Sequence, residues 1–245
     1  MSLTSRAVST AVAAGLIGVA AWLGVVPLVL AGTVLVCLLA GGWAQVTGQP
    51  TRGGTPIVLA MAGLLALLAA WRTTAEPVLR FVSIVIAMAV GLAFLAEMMR
   101  QDGRSGLLNS LAATVTGAVI ATGVAGWVAA ARSPSGAAMV VAAALAIVFG
   151  SFVVALPISP GWLSAVITIW VASGIGMLAG HLVPHTNWDA GLTAGATAGI
   201  TIAACRLLLS EDLRGRGAIP SIAASIVPVA VAGIATYALK WLLLG

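Results

Sequence analysis

The stretch GAAMVVAAALAIVFGSFVVAL, residues 136–156, carries no charge, and Ser151 is its only polar side chain. About 20 apolar residues in a helix cross the roughly 30 Å hydrocarbon core of a bilayer. This run is therefore read as a membrane span. Eight more runs share its character, at 7–23, 25–44, 55–71, 77–98, 107–131, 160–180, 188–209 and 218–243. Within lipid only helices and closed barrels satisfy every backbone N–H and C=O. A barrel would show alternating segments of about ten residues, whereas these runs are continuous. The expected fold is an all-α integral membrane protein, a bundle of about nine transmembrane helices forming one polytopic domain over residues 1–245. The first two runs meet at Gly24-Val25-Val26-Pro27, so 7–44 reads either as a tight hairpin or as a broken helix.

Composition supports the same class. Hydrophobic residues make up 61% of the 245, and charged residues only 7%. A soluble chain carries charge on roughly a quarter of its residues. The 11 Lys and Arg exceed the 6 Asp and Glu, but they sit at span ends, where they set orientation and meet anionic headgroups. Nucleic acid is not an expected partner; the lipid bilayer is. Cys37 and Cys205 each lie inside an apolar run and read as small hydrophobes. The N-terminal run continues through Pro27 without a small-residue cleavage site and reads as a retained first span.

With nine spans the chain ends fall on opposite faces. One face collects Arg6, Arg52, Arg100, Arg104, Arg206, Arg214 and Arg216, and the other Arg72, Arg80, Arg132 and Lys240. The positive-inside rule then expects a cytoplasmic N-terminus in the cell membrane, with the C-terminus opposite. Richness in Arg, Ala, Gly and Val with a single lysine fits a bacterial inner membrane. A shift of 111 residues lays spans 2–5 over spans 6–9, with Leu108–Val115 falling on Ile219–Ile226. That suggests two parallel four-helix repeats, 25–131 and 136–243, plus one extra N-terminal helix.

Polar residues concentrate in two loops on the N-terminal face. Glu97, Arg100, Asp102 and Arg104 join spans 4 and 5, and Glu97 can pair with Arg100 three residues on. Arg206, Glu211, Asp212, Arg214 and Arg216 join spans 8 and 9. Arg206 lies about a turn inside the apolar boundary, so it either snorkels to the surface or takes a buried partner such as Glu97. Paired arginines from two such loops could hold a phosphate. Gly103-Arg104-Ser105-Gly106 is similar to the short Gly-x-Ser-Gly of rhomboid proteases, but this layout puts both histidines on the face opposite Ser105.

His181, His185 and Asp189 share one short loop and are the weak candidates for a metal. Pro184 breaks the helical spacing between the histidines, so no metal or other cofactor is expected. Trp188 and Asp189 suit an interfacial helix start. The clearest pattern is structural. Gly191, Gly195 and Gly199 recur every four residues with Thr193, Thr197 and Thr201 in step, and Gly176 with Gly180 repeats the spacing in the preceding span. Such residues either pack helices closely, with threonines bonding across the contact, or line a solute path. Thr114, Gly117, Thr122, Gly123 and Gly126 form a similar band. Pro228 falls deep enough in the last span to kink it.

Ionisable groups are nearly absent from mid-span, which argues against a pump with a midplane carboxylate. Three function classes remain. The first is a permease-like carrier of a small neutral or amphiphilic solute or lipid. The second is a non-catalytic membrane subunit or scaffold, with a membrane-protein partner or further copies of itself. The third is a lipid-phosphate enzyme with Glu97, Asp102, Glu211 and Asp212 as acids or metal ligands.

Overall fold

The computed structural model describes residues 3–48, 54–99, 106–132, 135–156, 161–184, 186–209 and 217–244. Among them are ten helices and no strand. They are α1 (Leu3–Leu23), α2 (Val25–Val46), α3 (Gly54–Arg72), α4 (Val82–Met98), α5 (Leu107–Gly123), α6 (Ala125–Ala131), α7 (Gly136–Ala155), α8 (Gly161–Leu182), α9 (Trp188–Leu209) and α10 (Ala218–Leu244). Eight of the segments are long and apolar enough to cross a membrane, counting α5 and α6 as one, and α4 is a shorter apolar ninth. The all-α membrane bundle read from the apolar runs is the fold observed.

The first two runs form a hairpin. Gly24 alone separates α1 from α2, at φ +124°, a conformation that glycine adopts without a Cβ penalty. Thr10 of α1 donates to the Ser225 carbonyl at 3.0 Å. On α2, a Cβ added to Gly42 would lie 2.5 Å from the Ala223 Cβ. The start of α1 and the end of α2 therefore meet the same segment of α10, so the two helices run antiparallel.

Two expectations need correction. The span expected at 77–98 starts as helix only at Val82. Pro77 has no N–H to give a helix, and Glu76 is engaged by α10 instead. Its carboxylate accepts from the Tyr237 hydroxyl at 3.1 Å and lies 3.4 Å from the Lys240 ammonium. The Val78 N–H, bonded to Glu76 Oε2 at 3.1 Å and to the Tyr237 oxygen at 3.0 Å, closes the turn. The run expected at 107–131 is also not one helix. It breaks at Gly123–Val124, where Val124 N–H reaches back three residues to Ala121 and Trp127 N–H three residues to Val124.

The break sits where α10 comes closest. A Cβ on Gly126 would lie 2.3 Å from the Gly233 carbonyl oxygen, and one on Gly123 2.6 Å from that of Ala230. Trp127, wholly buried, donates its indole N–H to the Val229 carbonyl at 2.9 Å. Pro228 lies inside α10 beside this contact. Around it the interior is largely alanine, with Ala129, Ala130, Ala142, Ala143 and Ala146 fully buried. Lipid is as apolar as leucine, so a membrane bundle gains little from burying large side chains. Small ones let backbones approach and make dispersion contacts.

Candidate functional site

The face of the bundle that bears the N-terminus carries a cavity of about 60 Å³ between α1, α7, α9 and α10. Each helix contributes polar groups for a local reason. Near the start of α1, Arg6 and Thr10 are four apart and share one side of the helix. Ser151 is the lone polar residue of α7. In α9, Cys205 and Arg206 precede the final leucines, and in α10 Ser225 and Pro228 follow the first two turns. All seven line the cavity. Among the described residues no aspartate or glutamate lines it, and the charged groups they contribute are two guanidiniums.

The depth follows from helix geometry. Arg206 is three residues from the end of α9 and Pro228 ten from the start of α10. At about 1.5 Å per residue these are roughly 5 Å and 15 Å along the helices. The cavity therefore runs from one rim toward the middle of a hydrocarbon layer roughly 30 Å thick.

The hydroxyl protons are committed to the backbone. Thr10 donates to the Arg6 and Ser225 carbonyls at 3.1 and 3.0 Å, Ser151 to Ile147 at 2.7 Å, and Ser225 to Ser221 at 2.7 Å. Such back-bonding to the preceding turn is the usual fate of Ser and Thr in a helix. Arg206 donates from Nη1 to the hydroxyl of Ser164, which is fully buried on α8. The remaining guanidinium N–H groups are the cavity's strong donors.

The other candidates are distributed as follows. Glu97 is buried at the end of α4 and accepts from the Ser110 hydroxyl of α5. Because α4 packs on α3 and α5, Glu97 stands in a different cluster from Arg206. Arg100, Asp102, Arg104 and Ser105, with Glu211, Asp212, Arg214, Arg216 and His185, lie outside the described residues. His181 is exposed in the last turn of α8, and Asp189 accepts from the Ala190 N–H at 2.8 Å in the first turn of α9. Among the described residues no three His, Cys, Asp or Glu side chains gather around a common point.

The glycines of α8 and α9 face one another across a very close contact. A Cβ on Gly176 would lie 2.3 Å from the Gly191 carbonyl oxygen. One on Gly191 would lie 2.3 Å from that of Gly176, and one on Gly195 2.3 Å from that of Ala172. Gly180 and Gly199 meet the opposing backbone at 2.6 and 2.8 Å in the same way. The threonines in step do not bond across. Thr193, Thr197 and Thr201 donate to carbonyls three or four residues back on α9 itself. Their hydroxyls reach their own helix sooner than the neighbour's.

A second polar cluster was not read from the sequence, at the far face. Glu76, Tyr237 and Lys240 join the α3–α4 turn to the end of α10. Burial pushes the Glu76 carboxyl up, but the Val78 N–H, the Lys240 charge and the Tyr237 hydroxyl together hold it below its ordinary value. The chain's only tyrosine and only lysine, three residues apart in a span, were the available signal. Nearby, Arg132 donates to the Ala70 and Trp71 carbonyls and so caps the end of α3.

Family models, curated proteins and solved structures give no match to this chain. Function rests on the site itself.

Proposed function

We propose that this chain is a permease-like carrier of a small amphiphilic solute or lipid. The observation that supports it best is the cavity that four spans line from one rim toward the bilayer middle, with Arg6 and Arg206 in its wall. Packing alone does not call for two arginines on one void at the span ends, where charge withdrawn from water is costly. The apolar half of an amphiphile has room beside the same helix. α1 borders an apolar groove of about 300 Å³ with α7 and another of about 340 Å³ with α2. In the two-repeat reading, the cavity belongs to the second repeat and the extra first helix. Counting basic residues at the span ends, we place the cavity's mouth at the cytoplasmic face.

The dense alanine and glycine interior away from the cavity favours a second reading, a non-catalytic subunit of a membrane complex. Purification of the full chain into nanodiscs, followed by native mass spectrometry, separates the two. A retained lipid or solute on a lone chain supports the carrier. A stoichiometric protein partner with no ligand supports the subunit.

A further inference from the structure

We propose that the cavity is a site for a phosphate monoester or free phosphate, held between Arg6 and Arg206. The inference deepens the carrier reading by naming the polar group of its ligand. Two guanidinium charges line one void, and among the described residues no carboxylate lines it with them. Both guanidiniums are half-buried, and charge partly withdrawn from water is stabilised by a counter-charge close by. A single carboxylate would neutralise one of the two. A phosphate monoester carries about −1.5 to −2 at neutral pH and neutralises both.

The hydrogen-bond inventory agrees. The hydroxyls of Thr10, Ser151 and Ser225 give their protons to backbone carbonyls. What remains to meet a ligand is N–H donors. Each guanidinium has five in a planar fork, and among the described residues Nη1 of Arg206 is given to Ser164. That fork matches phosphate oxygens two at a time. A cavity of about 60 Å³ has room for one tetrahedral oxyanion or a few waters. Arg206 stands in the last turn of α9, at the level where phosphate arrives either from a lipid headgroup or from water. A phosphodiester, with one negative charge, is the poorer fit.

The test uses the full chain in phosphatidylcholine nanodiscs with two probes added separately, phosphatidic acid and inorganic phosphate. Binding is read by native mass spectrometry and by titration. One-to-one binding of phosphatidic acid assigns the site to a lipid phosphate, and binding of inorganic phosphate assigns it to the free ion. In either case Arg6→Gln and Arg206→Gln should each weaken binding at least tenfold, as expected for loss of a charged hydrogen-bond donor. Ser164→Ala, which removes only the neighbour of Arg206, should change it less than threefold. Should Arg206→Gln fail to fold, Arg6→Gln decides alone, because it leaves the Arg206–Ser164 contact intact. Binding of neither probe, or binding unchanged in Arg6→Gln, overturns the assignment. The carrier reading fails differently: phosphate binds as described, yet proteoliposomes move none of the bound species.

Discussion

Replacing Gly176 by alanine should destabilise the bundle by about 2 kcal/mol, while the same change two residues earlier should not. A Cβ at Gly176 would stand 2.3 Å from the Gly191 oxygen, 2.7 Å from the Gly195 Cα and 2.8 Å from its nitrogen. An ordinary contact is about 3.4 Å or more, so α8 and α9 must separate by about 1 Å, and every atom met is backbone. Overpacking of this kind costs about 1–3 kcal/mol. Alanine recovers up to about 1 kcal/mol through its helix preference. A cost at the upper end of the range leaves a net loss of about 2 kcal/mol. Gly174 is exposed on the same helix, and a Cβ there meets nothing within 4 Å. Gly174→Ala should therefore be neutral or stabilising by up to about 1 kcal/mol. Both variants can be unfolded reversibly by denaturing detergent in mixed micelles. Coincident unfolding of the two would refute the close-packing account of these glycines.

Three further outcomes follow from the far face and the helix break. Glu76→Gln should cost more than Lys240→Met. The first leaves a buried ammonium without its counter-charge, about 2 kcal/mol. The second leaves a half-exposed carboxylate that water can solvate, about 1 kcal/mol or less; detergent unfolding of both ranks them. The folded Glu76 carboxyl lies below its ordinary value of 4.5. Its contribution is thus complete above that pH and fades as pH falls through the lower folded value. Acid melting curves should show this loss in the wild type and not in Glu76→Gln, which has no carboxyl to protonate. Trp127→Phe removes the indole bond to the Val229 carbonyl and leaves space in a fully buried site, and should destabilise by about 1–3 kcal/mol, read by the same unfolding assay.

The spans were legible because each continuous apolar run specifies its own environment locally. What could not be read depends on partners distant in sequence. Residues 77–81 join the apolar run that follows them, yet they turn because Glu76 meets Tyr237 and Lys240 near the end of the chain. Gly123 and Gly126 were visible as small residues, but the break between their helices belongs to a crossing with Ala230 and Gly233. Pro228 gave a local signal and stands beside that crossing. Of the cavity, Arg206 was legible as a charge about a turn inside the apolar boundary, open to snorkelling or to a buried partner. Arg6 looked like an orientation signal, and only closure of α1 onto α7, α9 and α10 turns it into a wall of the same void.

The central claim, that an amphiphile is carried by way of the two-arginine cavity, is tested most directly by flux. The full chain is reconstituted in phosphatidylcholine vesicles containing fluorescent phosphatidic acid, and movement between leaflets is followed by dithionite quenching. The account predicts faster exchange than in empty vesicles, lost in the Arg6→Gln/Arg206→Gln double variant and retained in Lys240→Met. Exchange no faster than in empty vesicles, or equally fast in the double variant, would contradict it.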